Sequence, residues 1–137
     1  MKTINQLSIS IEECHGMFNR AKMKAIEQEI GISFCVVDSS GNLKYFGRMD
    51  NAPLISIDIA RKKAVTAVGF GMATGKPWHD FVKDDPILND GVANIKDFML
   101  LGGGVPIVHE NTIIGAIGVS GGHYKQDESC CNAALNE

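Results

Sequence analysis

The chain has 137 residues, 45% hydrophobic and 21% charged, the make-up of one globular domain able to bury roughly two thirds of its unfolded surface in a single core. Its net charge of −3 provides no basic face for a phosphate backbone, so no nucleic-acid partner is expected. The opening residues Met1-Lys-Thr-Ile-Asn-Gln-Leu-Ser8 contain no signal-peptide apolar core and no run is long enough to cross a bilayer, so a cytoplasmic chain without membrane contact is expected.

In chain order, Ser10-Ile-Glu-Glu13 has the capping-box pattern, and the spacing of Ile11, Cys14, Phe18, Ala21 and Ala25 predicts an amphipathic helix that Gly31 ends. His15 lies on the border of its apolar face, from which it can reach a ligand lodged between helix and sheet. The β-rich run 32–37, the turn 38–42 and the run 43–47 predict a first hairpin. Arg48-Met-Asp-Asn-Ala-Pro53 leads out of it, and Ser56 with Asp58 starts a second helix. Ala60, Ala64, Ala67 and Gly71 make the inner stripe of that helix unusually small, which lets it lie close against a sheet.

Residues 75–91, with two prolines, the one tryptophan and clustered aspartates, predict a long excursion with one short helix, of the kind that often serves as a binding lid. The run 98–101 reads as a strand leading into the glycine-dense stretch 102–122. There 105–109 and 112–119 predict a hairpin closed by the two-residue turn Glu110-Asn111, and the tail from Tyr124 predicts a closing helix. The sum is a single α+β domain, residues 1–137, with a five-stranded antiparallel sheet packed by helices.

The glycines that flank the second hairpin, Gly102-Gly-Gly104 and Gly121-Gly122, admit two readings. Consecutive amides in such turns converge on an anionic oxygen, or the glycines serve only turns and close backbone contacts. Cys14, Cys35, Cys130 and Cys131 have neither CxxC nor zinc spacing and read as reduced thiols. Ser120 has no histidine and acid at a recognisable spacing, and Asp84-Asp85 reads as a solvated loop rather than a calcium or general-base site. No triad, carboxylate pair or zinc motif emerges.

Arg48-Met-Asp50 with Ala52, Lys63-Ala64 followed by Thr66-Ala67, Gly103-Gly104 before Pro106-Ile107, and Gly115-Ala-Ile-Gly-Val-Ser-Gly-Gly122 with Asp127 behind it follow one another in fixed order. This series resembles the GlcG/HbpS family, which includes the C-terminal domain of PduO-type proteins. The resemblance implies a profilin-like sheet with helices on its faces, assembly into homo-oligomers, and a tetrapyrrole as small-molecule ligand, haem or alternatively a corrinoid. It also implies a role beside glycolate or diol and glycerol utilisation.

Under that resemblance His15 is the expected axial ligand, since imidazole suits iron and cobalt and Ile11 and Phe18, one turn away, can pack on a macrocycle. The plain alternative is a surface histidine, with His79 and His123 next in line and His109 exposed at the hairpin. Arg48 either pairs with Asp50 or holds a ligand carboxylate. Lys63 sits in an Arg61-Lys62-Lys63 run that by itself reads as a solvated face, and its motif position alone raises it to a candidate. Gly103, Gly104 and Ser120 complete the candidate binding set.

Two functions are therefore in view. The first is an oligomeric protein holding a tetrapyrrole in a cleft between the first helix and the sheet near the glycine segment. The second is a small enzyme acting on a carbonyl or hydroxy-acid metabolite, with Gly103, Gly104 and Ser120 as anion donors and Arg48 or Lys63 as the charged partner. Self-association is expected through a sheet edge or the excursion 78–88, because the small-residue helix contributes little apolar area.

Overall fold

A computed structural model describes residues 1–136. Ser10 takes extended backbone and its hydroxyl accepts the Glu13 amide, which starts helix α1 (Ile11–Glu27) as the capping pattern requires. Cys14, Met17, Ala21 and Ala25 carry its buried face. Ile11, expected there, is 39% exposed, and Met17 fills the core position instead.

Strands β1 (Ser33–Asp38) and β2 (Leu43–Arg48) form the first hairpin, whose turn is held by the Asp38 carboxylate accepting the amides of Ser40 and Asn42 at 2.9 Å each. Helix α2 (Ser56–Phe70) follows. Strands β3 (Gly104–His109) and β4 (Thr112–Ser120) form the second hairpin, with Glu110 and Asn111 at φ 49° and 62°. Two successive positive φ values identify the tight turn whose twist matches the strands it joins. Helix α5 (Tyr124–Ala134) closes the chain, with His123 as its N-cap.

The sheet order is β2-β1-β4-β3, antiparallel throughout. Strand β1 is central and covered on both faces, so it reads as a continuous apolar run rather than an alternation. Phe34 and Val36, with Ile107, Ile117 and Val119, face α1 and α5. Cys35, Val37 and Ala116 face Ala60, Ala64 and Ala67 of α2. The small stripe has the consequence expected of it, because a β-carbon on Gly118 would overlap the carbonyl oxygen of Ala60 and lie 2.7 Å from the Ala64 nitrogen. The α2 backbone lies directly on β4.

The sheet has four strands, not five. The run 98–101 is pinned to the flank of α2 instead of joining the ladder. Thr66 Oγ1 donates to Asp97 O (3.1 Å) and accepts the Met99 amide (2.9 Å), while Arg61 grips the Asp97 carboxylate with two nitrogens at 3.1 and 3.3 Å. The place such a strand would take is closed. Thr74 makes three hydrogen bonds with Gly104 at the outer edge of β3, and Pro106 has no amide to offer.

The excursion is also more ordered than expected, forming two short helices, α3 (Lys76–Val82) and α4 (Pro86–Val92), each with a proline in its first turn. Trp78, Val82 and Val92 make a third apolar cluster with Phe98 and Leu100, which accounts for where that hydrophobic run goes. All four cysteines are unpaired and buried, and burial pushes the thiols of Cys14 and Cys130 up to about 11 and that of Cys35 to about 12. They act as small hydrophobes. No helix of the described residues is long and apolar enough to cross a membrane.

Candidate functional site

The candidate residues separate into two places. Lys63, Gly103, Gly104 and Ser120 meet at the junction of α2, β3, β4 and α5. Helical periodicity splits the Arg61-Lys62-Lys63 run: Arg61 and Lys62 pair at the surface with Asp58, while Lys63 turns inward and is 1% exposed. Its Nζ donates to Val119 O at 2.8 Å and to Asp127 Oδ2 at 2.9 Å. Asp127 Oδ1 in turn accepts the Gly122 amide at 3.0 Å.

Of the glycine amides, that of Gly122 meets a carboxylate oxygen, and the carboxylate is the chain's own Asp127. Burial raises the pKa of this carboxyl, opposed by the Lys63 ammonium and the Gly122 amide. Gly103 lies against Lys63 Nζ, the Gly104 amide donates to Thr74 Oγ1 at 2.8 Å, and Ser120 is buried. These four residues form a packed junction and line none of the hollows described below. Asp127 stood in the sequence only as the tail of a motif. Its position five residues after Gly122 was the one signal that it returns to the turn.

His15, Phe18 and Arg48 gather at the seam between α1 and β2. The exposed His15 ring sits edge-on to Tyr45, with centroids 5.3 Å apart, and Phe18 packs on Tyr45 at 5.7 Å and on Phe34 at 5.6 Å. No hydrogen bond occupies the imidazole nitrogens among the described residues. Beside Phe18 opens a hollow of about 380 Å³ lined by Lys22, Arg48, Met49, Asp50 and Asn51. The expected Arg48–Asp50 ion pair does not form. Tyr45 and Lys22, both missed from the sequence, complete the patch; Lys22 follows His15 by seven residues and Phe18 by four, the spacing of one helix face.

A larger groove of about 620 Å³ lies between α1 and the second hairpin, floored by Met17, Val105, Ile107, Ile114 and Leu135. This is the cleft expected near the glycine segment, but His15 is on the opposite flank of α1. The Arg20 guanidinium at its rim already donates to Ala134 O at 2.7 and 3.0 Å. Of the other histidines, His79 and His109 are exposed, and His123 Nδ1 accepts the Lys125 amide as a helix cap. No group of three or more His, Cys, Asp or Glu residues that could hold a metal ion occurs among the described residues. The metal chemistry this surface supports is that of one imidazole beside aromatic rings, which suits a metal already held in a macrocycle.

Residues 9–136 match the model of the family described as haem degrading protein HbpS-like. The chain is 31% identical to the uncharacterized 15.0 kDa protein in the dhaT-dhaS intergenic region of Citrobacter freundii, over 94% of this chain and 91% of that one. Among solved structures it is similar to Klebsiella pneumoniae protein ORFY, with a TM-score of 0.90 and 30% identity over 99% and 94% of the two chains. It is also similar to the PduOC:heme complex, with a TM-score of 0.88 and 27% identity over 95% and 94%.

Proposed function

The chain belongs to the HbpS-like family, and on that premise we propose that it is a haem-binding protein in which His15 is the axial ligand. The observation that carries this reading is the exposed, hydrogen-bond-free imidazole set against Tyr45 and Phe18, an apolar surface on which a macrocycle can lie. A solved relative at 27% identity is a haem complex, which supports the same reading. Bound haem would supply a redox-active iron; this chain's part is to present one imidazole and an aromatic bed. Hemin added to the purified protein is expected to give a shifted Soret band that saturates at a defined stoichiometry, and His15→Ala is expected to abolish the shift. An unchanged spectrum in His15→Ala removes the ligand assignment.

The reading includes assembly. Edge strand β3 is closed by Thr74 and Pro106, whereas β2 forms the other edge of the sheet, and Phe81 and Ile87 stand 59% and 86% exposed on the excursion. A homo-oligomer joined through one of these surfaces is expected. Light scattering at micromolar concentration is expected to return a multiple of 14.8 kDa; a monomer that persists on concentration overturns it. We place the protein in the cytoplasm, accessory to glycolate or diol and glycerol use. The enzyme alternative gains no support from the glycine segment, where Lys63 and the Gly104 and Gly122 amides are engaged internally.

A further inference from the structure

Resting on the haem reading, we infer that Lys22 and Arg48 form a carboxylate-binding rim, so that the site selects a porphyrin bearing free carboxylates over an amidated corrinoid. The argument is one of unspent charge. On α1, Arg20 and Lys24 pair with Glu13 and Glu27, and on α2, Arg61, Lys62 and Lys63 all have acidic partners. Lys22, Lys44 and Arg48 have none among the described residues, although the chain carries a net −3. These three lie on α1 and β2, the elements that meet at this seam, whereas the other cations with no acidic partner among the described residues, Lys2, Lys96 and Lys125, stand apart from one another along the chain.

Lys22 Nζ stands 5.6 Å from the Phe18 ring centroid, and both Lys22 and Arg48 line the hollow next to that ring. Lys44 is on the same strand as Arg48. Asp50 is the one carboxylate lining the hollow, so cations outnumber it. His15, Phe18 and Lys22 lie along one stripe of α1, with about 10 Å of helix rise between the first and the last. A flat ligand held at His15 and laid over Phe18 thus brings one edge to the two cations. Carboxylates on that edge gain charge-assisted contacts, with Arg48 able to engage one bidentately. Neutral amides gain no such ion pair and leave the cations without partners.

The test compares hemin, metal-free protoporphyrin IX, its dimethyl ester and hydroxocobalamin on the wild type and on Lys22→Ala/Arg48→Ala, with Lys24→Ala as a control on another face of α1. Protoporphyrin fluorescence and the hemin Soret band report binding. The double variant and the ester are each expected to bind weaker by on the order of tenfold or more, since a lost contact of about 1.4 kcal/mol is tenfold in affinity. Salt is expected to weaken the free acid and not the ester, and hydroxocobalamin is expected not to displace hemin. Equal affinity for acid and ester, or hemin binding that depends on His15 but not on Lys22 and Arg48, overturns this inference and leaves the haem reading standing. A wild type that binds neither porphyrin overturns both.

Discussion

Replacing Lys63 with methionine is expected to destabilise the domain by about 3–5 kcal/mol, because it leaves Asp127 buried without its cation. Set against a total stability of roughly 5–15 kcal/mol, that is enough to unfold a substantial fraction of the protein on mild warming. The surface pairs set the contrast: loss of Lys62, whose ammonium meets Asp58 at 3.0 Å with both side chains part-exposed, is expected to cost only about 0–1 kcal/mol. The difference is solvent, since Lys63 and Asp127 are 1% and 2% exposed.

The same variant has a predictable pH signature. Burial already raises the Asp127 carboxyl and Lys63 is the largest opposing influence, so removing Lys63 raises it further. A group whose folded pKa exceeds its unfolded value of about 3.9 carries no penalty below that value and loses stability as pH rises through the folded one. Lys63→Met should therefore recover stability relative to wild type as pH falls from 7 toward 4, as followed by urea unfolding. Lys63→Met/Asp127→Leu, which removes both charges, is expected to restore most of the loss and to abolish the pH dependence. A single variant within about 0.5 kcal/mol of wild type would mean that the pair is hydrated rather than buried.

Gly118→Ala is expected to be comparably severe for a steric reason. A β-carbon there would overlap the Ala60 carbonyl oxygen, which is backbone inside a helix and cannot swing aside. All of α2 must lift from the sheet, opening the Ala60, Ala64 and Ala67 contacts with Cys35, Val37 and Ala116. The cost is expected at or above the roughly 1–3 kcal/mol typical of overpacked cores. Gly69 provides the matched control on the same helix, since a β-carbon there meets nothing within 4 Å. Gly69→Ala is expected to stabilise by up to about 1 kcal/mol through helix propensity. Urea midpoints for the pair decide the matter: two alanine variants of equal stability would show that α2 does not lie on β4 as closely as described.

Where local rules govern, the sequence was legible. Ser10 caps α1, Glu110-Asn111 closes the β3–β4 hairpin, and the alanine stripe of α2 faces the sheet, because each depends on residues within a few positions of one another. The β-rich runs, the short turns between them and the helical periods around them were enough for an α+β chain with antiparallel pairing. The motif series placed Arg48, Lys63, Gly103 and Gly104 in one candidate set; Lys63 and the two glycines do meet, whereas Arg48 lies apart at the seam of α1 and β2.

What tertiary structure alone decided is the partner each side chain finds. The run 98–101 has strand composition, but Thr66 and Arg61 of α2 claim its backbone approach while Thr74 and Pro106 close the sheet edge, so the fifth strand does not form. Lys63 has the periodicity of either a solvated or an inward position, and only the return of α5 brings Asp127 to it and turns a possible ligand contact into an internal ion pair. His15 sits on the border of a helix face, and only the pairing of β2 with β1 puts Tyr45 beside it, on the flank of α1 away from the large groove. The physical reason is common to all three. Periodicity reports the angle at which a residue leaves its own element, whereas its contacts depend on chain segments 30 to 64 residues away, brought together by burial of the whole core.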